Sequence, residues 1–129
     1  MAERVTVTIT YLEQKEPPKG PRPPAPPVKA AIMRAVKPPV HFYRYLYDLI
    51  GRPWNWVSRR SLNDDALAEI IHDEDVWLYI LYVDGAPGGM AEFDARALKS
   101  KKQIELKFFG LSPDFTGKGM GRYLSLIHI

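Results

Sequence analysis

A chain of 129 residues with 46% hydrophobic content can bury one modest core, so a single domain or part of one is expected and a second independent core is excluded. The formal charge of +3 comes from Lys and Arg scattered without a long basic run, which suits an anionic partner and carries no signature of nucleic-acid binding. With no cysteine, disulfides, thiolate metal sites and acyl-cysteine intermediates are ruled out for these residues.

The first residues, Met1-Ala2-Glu3-Arg4, lead into alternating Val and Thr and lack the apolar stretch of a signal peptide; no window approaches a membrane span, so the expected setting is cytoplasmic. Val5, Val7, Ile9 and Tyr11 alternate with Thr6, Thr8 and Thr10, the period of a half-buried strand. From Pro17 to Pro27 seven prolines forbid a helix interior or a ladder, and an extended, stiff connection is expected. Its Pro-x-x-Pro spacings also match ligands of proline-binding domains, an alternative with no supporting context. A second strand is expected over about Val28 to Val36.

Val40 to Ile50 places Tyr43, Leu46, Tyr47 and Ile50 on one helical face, with Gly51 as a stop and Pro53 beyond. A second helix is expected from Asn63, where the amide side chain caps the open N–H groups and Asp64 and Asp65 favour the dipole, to about His72. Val76 to Val83 is apolar on both faces, as a central strand should be. Asp84-Gly85 predicts a tight hairpin into a strand over about Gly88 to Asp94, and a polar loop with Lys99, Lys101 and Lys102 leads to a strand holding Glu105. No Walker, Rossmann or metal-ligand spacing is found. His41 and His72 are expected to be ordinary loop or surface histidines.

The apolar run Ile104 to Leu111 is followed by Ser112-Pro113-Asp114-Phe115-Thr116-Gly117-Lys118-Gly119-Met120-Gly121-Arg122. Three glycines at alternate positions let the backbone turn sharply, and the first amides of the following helix have no partner inside it. Such a bend suits a pyrophosphate. Strand and loop together resemble the central strand and acetyl-CoA loop of the GNAT family of N-acetyltransferases. That loop reads Arg or Gln, two residues, Gly, any residue, Gly or Ala; Gly119 and Gly121 fit, and Thr116 stands where Arg or Gln is usual.

The resemblance implies an α+β fold, the GNAT acyl-CoA N-acyltransferase-like arrangement of a mostly antiparallel mixed sheet flanked by helices. It implies acetyl-CoA as co-substrate, a primary amine as acceptor and no metal. Catalytic roles fall to Glu105 as general base, with a structural or substrate-binding carboxylate as the equal alternative, and to the Phe109 amide, which would polarise the acetyl carbonyl. Phe109, Leu111, Thr116, Gly117, Lys118, Gly119, Met120, Gly121 and Arg122 would bind the coenzyme, Leu111 by pairing with pantetheine amides and Gly110 by permitting a bulge. The acceptor side would involve Tyr43, Tyr47, Trp54 and Trp56, for which core packing is the favoured alternative, with Glu92 as a weaker second carboxylate.

Leu124-Ser125-Leu126-Ile127-His128-Ile129 resembles the translation of a transposon-end sequencing adapter, so the natural sequence is expected to stop near Tyr123 and the domain to be partial, truncated after the coenzyme loop. Two rival functions remain at this point: a non-catalytic acyl-CoA-binding module of the same fold, and a proline-rich interaction protein. The oligomeric state, a homodimer among the options, is left open.

Overall fold

The computed structural model describes residues 29–116 and 120–124, together with Thr6, Thr8, Thr10 and 12–16. The strand expected over 5–11 lies largely outside the described residues, and its described members Thr6, Thr8 and Thr10 join no ladder. The proline segment 17–27 also lies outside them.

The elements run β1 (Ala30–Ala35), α1 (Val40–Gly51), α2 (Asp64–Ile71), β2 (Val76–Val83), β3 (Ala86–Asp94), α3 (Leu98–Lys101), β4 (Glu105–Leu111) and α4 (Met120–Leu124). The four described strands form one antiparallel sheet in the order β1-β2-β3-β4, with β4 at its edge. This is the expected α+β arrangement, with α3 as an addition. Its four residues, Leu-Lys-Ser-Lys, carry no apolar periodicity that could announce a helix.

Local chemistry explains most boundaries. Asn63 Oδ1 accepts from the Ala66 N–H at 2.8 Å and opens α2 where a cap was expected. Asp84 and Gly85 have φ of 50° and 86°, the pair of positive values that a two-residue hairpin turn needs to follow the strand twist.

Each face of the sheet carries its own core. Tyr43, Leu46 and Ile50 of α1, with Leu67 and Ile71 of α2, pack on Leu78, Ile80 and Met90. On the other face Met120 and Leu124 of α4 pack with Leu81, Val83, Ala91 and Phe93. β2 is therefore apolar on both sides because both are covered. Leu124, the first residue of the adapter-like stretch, is fully buried there. No described helix is long and apolar enough to cross a membrane.

Candidate active site

The edge strand β4 sets the geometry. Its ladder with β3 pairs Met90 with Gly110, Ala91 with Phe109 and Glu92 with Phe108, then shifts by one residue so that Phe93 faces Leu106. Lys107 is the extra residue of that bulge. The bulge therefore sits three residues before Gly110, where it was expected. Gly110 has a different duty: a Cβ there would lie 2.7 Å from Ile50 Cγ2 and 3.1 Å from the Trp56 ring, so glycine lets α1 and Trp56 approach the strand.

The Ser112 N–H donates to the Gly88 carbonyl at 2.8 Å, in the same register as the Leu111–Gly89 pair. In an antiparallel ladder hydrogen-bonded pairs alternate with non-bonded ones. Ser112, Gly110 and Phe108 therefore turn their main-chain groups toward β3. Phe109 and Leu111 turn theirs away from it, toward the edge that no described strand covers.

Beside that edge lies a groove of about 430 Å³, lined by Trp54, Trp56, Phe109, Gly110, Leu111, Thr116 and Gly121. It brings together four of the residues expected at the coenzyme and two expected at the acceptor. Thr116 closes the 3-10 turn Pro113–Phe115 by donating its hydroxyl to the Pro113 carbonyl at 3.2 Å, so the proton expected for an anion is already engaged. Met120 buries its side chain in the core and offers only its backbone. A Cβ on Gly121 would meet only Leu111 Cδ1 at 3.7 Å, an ordinary contact, so packing among the described residues does not require glycine there. Gly117, Lys118, Gly119 and the Arg122 side chain lie outside the described residues.

The remaining acceptor-side residues divide. Tyr43 and Tyr47 are buried core residues, whereas Trp54 is 63% exposed. Trp56 packs at a tilt against Tyr47 and Phe108, with ring centroids 5.6 and 5.1 Å apart, forming an aromatic partition behind the groove. Asn55, at φ 57°, reverses the chain after the short turn Arg52–Trp54 and swings Trp56 back over Gly51.

The two carboxylates sit in opposite environments. Glu92 is buried: the Tyr43 hydroxyl donates to its Oε1 at 2.5 Å and Arg59 Nη2 donates to its Oε2 at 2.9 Å. Arg59 Nη1 also donates to the Tyr43 oxygen at 3.3 Å, and its guanidinium lies over the Phe108 ring, 5.1 Å from the centroid. Burial first, and the negative charge of Glu92 second, push the Tyr43 phenol above its ordinary range and keep it a proton donor. Glu105 is exposed at the start of β4, opposite Asp94, with Lys107 Nζ 3.6 Å from its carboxylate. Four residue steps, about 13 Å of strand, separate it from Phe109. Arg59 was not singled out by sequence reasoning. The signal was Glu92 itself, a carboxylate in the run Met-Ala-Glu-Phe, which needs a cation once buried.

Similarity to known proteins was found at the level of structure. No family model and no curated protein sequence matches the chain. An aminoglycoside acetyltransferase from an uncultured soil metagenomic sample, solved in complex with sisomicin, superposes with a TM-score of 0.62 at 9% identity, over 76% of this chain and 66% of that one. The fold is that of the GNAT acetyltransferases. A ribosomal-protein-alanine N-acetyltransferase from Brucella melitensis biovar Abortus 2308 matches this GNAT fold with a TM-score of 0.55 at 15% identity, covering 77% of this chain and 68% of that one. An aminoglycoside N-acetyltransferase in complex with CoA gives 0.53 at 22%, covering 78% and 67%. The chain spans about two thirds of the length of these GNAT structures.

Proposed function

We propose that this chain forms the coenzyme-binding part of an acetyl-CoA-dependent N-acetyltransferase that passes acetyl to a primary amine by direct attack in a ternary complex. The observation that carries the reading is the outward turn of the Phe109 and Leu111 main-chain groups along an open groove that continues to Thr116 and Gly121. Alternate free N–H and C=O groups on a strand edge can take up an amide-bearing chain as they would another strand. Pantetheine is such a chain.

Acetyl-CoA supplies the activated thioester. The Phe109 N–H, unpaired by any described strand, would donate to the carbonyl oxygen as negative charge develops on it during attack, a preorganised donor of the kind that dominates acyl transfer. Leu111 pairs with the pantetheine amides and fixes the thioester along the strand. Main-chain amides of 117–122 take the pyrophosphate. Glu105 would withdraw the proton of the attacking amine through intervening water, because its distance along the strand leaves no direct contact with a thioester at Phe109; as the C–N bond forms the C–S bond breaks, and the departing CoA thiolate takes a proton from solvent. Glu92, with both oxygens engaged, is not available for this.

A second reading, a module that binds acyl-CoA without catalysis, is favoured by Thr116 standing for Arg or Gln with its proton spent on Pro113. Calorimetry of the chain with acetyl-CoA tests what the two readings share, and saturable binding is expected. Absence of binding overturns both. Thiol release by the full-length protein with a panel of primary amines then separates enzyme from module.

A further inference from the structure

Behind the aromatic partition, between α1, the connection 52–63 and α2, lies a second pocket of about 210 Å³ whose wall includes Arg44, Arg52, Arg59 and Arg60 against a single carboxylate, Asp48. Asp48 is shared. Arg52 takes its oxygens through Nε and Nη2 at 2.8–3.3 Å, while Arg60 reaches Oδ1 only at 3.5 Å. Arg44 is held by Asp64 and the Leu62 carbonyl, and Arg59 by Glu92 and Tyr43. Four guanidinium groups thus answer to three carboxylates, and Arg60, 41% exposed, keeps most of its donors free among the described residues. One positive charge is left over at the mouth of a pocket whose interior includes the Tyr43 and Tyr47 side chains.

We propose that this pocket binds an anionic group, carboxylate or phosphate, carried by the amine acceptor, with Arg60 and Arg52 as its ligands; the assignment to the acceptor rests on the acetyltransferase reading above. Guanidinium forks match the oxygens of both anions, and Asp48 releases one of its two partners at little cost because these pairs are exposed. A space of this size holds about seven waters, enough for a carboxylate or phosphate with a short stem. Tyr47 links the pocket to the groove: it contributes to the pocket wall and packs at a tilt against Trp56, which lines the groove. An acceptor anchored here by its anion would sit beside the partition whose other side faces the groove at Phe109. An acceptor with several ammonium groups would meet like charge at the same wall.

The test is titration of the chain with inorganic phosphate and, separately, acetate, read from the NMR resonances of the arginine Nε–H groups. Saturable shifts at Arg52, Arg59 and Arg60 are expected, with Arg60→Gln weakening binding at least about fivefold and Arg60→Lys restoring part of it. Absence of saturable shifts, or equal binding by Arg60→Gln, overturns the pocket. Arg60 is solvent-facing, so the variants fold, and the unchanged remainder of the spectrum verifies it. Saturation with acetyl-CoA should leave the phosphate shifts in place; their loss would assign the pocket to the coenzyme's own phosphates and overturn the acceptor role. Acetyl-CoA calorimetry reports on the enzymatic reading alone, so failure of that reading is told apart from failure of the pocket.

Discussion

Glu92 and Glu105 stand on adjacent strands of one sheet, yet they belong to opposite kinds of region. Around Glu92 every strong group is consumed by another: carboxylate, phenol and guanidinium close a buried ring that ties β3 to α1 and to the connection between the helices. Along the outer edge of β4 the Phe109 and Leu111 main-chain groups are unpaired by any described strand, and Glu105 is exposed. Closed polar rings stabilise and position; open edges are where a second molecule can enter. A carboxylate's surroundings, more than its presence on a core strand, decide which of these it serves.

The comparison is broken most sharply by the two isosteric changes. In the full-length protein Glu105→Gln should lower the rate of thiol release roughly 10²–10⁴-fold while leaving the unfolding midpoint in urea within error. Glu92→Gln should do the reverse, costing stability by leaving Arg59 without its counter-charge. Wild-type activity of Glu105→Gln across pH would remove Glu105 from the mechanism. Stability of Glu92→Gln equal to wild type would remove the ring from the structural account.

Arg59→Ala strips the cation and leaves Glu92 buried with only a phenol, a change that should cost about 3–5 kcal/mol. Replacing Arg59 and Glu92 together by Met and Leu should recover most of this, since the loss comes from an uncompensated charge and not from the absence of an ion pair. Urea unfolding of the single and double variants measures both. A double variant as unstable as Arg59→Ala would mean that packing, not charge, holds the connection.

A smaller effect is expected from Gly110→Ala, whose methyl would press on Ile50 and Trp56 at the back of the groove. Overpacking of this kind costs about 1–3 kcal/mol. Ile50→Ala removes the Cγ2 methyl that lies 2.7 Å from a Cβ at position 110, so the pair should be more stable than the sum of the two changes. Strict additivity would show that Ile50 is not what Gly110 accommodates.

Elements with local causes were legible in the sequence. The Asn63 cap with Asp64 and Asp65 marked α2, both-face apolarity marked β2, and Asp84-Gly85 marked the hairpin. The ion pair of Arg59 with Glu92 joins residues 33 apart and has no local signature beyond a carboxylate in an apolar strand. The bulge at Lys107 likewise has no glycine or proline to announce it. For Phe109 and Leu111 the residues came from family resemblance, but the direction of their main-chain groups depends on register, and register is fixed by pairing with β3 and by the Ser112–Gly88 bond. Fold was therefore readable from short windows, whereas the site depends on contacts between them.

The smallest effect lies beside Glu105. Arg96 donates from Nε and Nη2 to the Asp94 carboxylate, the shortest contact being 2.7 Å, and these hydrogen bonds hold Asp94 below the usual carboxylate range, with the charge of Lys107 adding to them. A group whose folded value is depressed contributes stability that is fully present above its unfolded pKa of about 3.9 and is lost as pH falls through the folded value. Arg96→Ala should raise the Asp94 titration toward the unfolded value and flatten the acid limb of stability against pH, with a cost of at most about 1 kcal/mol at neutral pH because the pair is partly exposed. NMR titration of the Asp94 carboxyl reads the first effect and urea midpoints between acid and neutral pH read the second. Since Asp94 faces Glu105 across the ladder, the same variant also asks whether Glu105 senses its neighbour: an unchanged pH profile of thiol release would show that the open carboxylate acts independently of the paired one beside it.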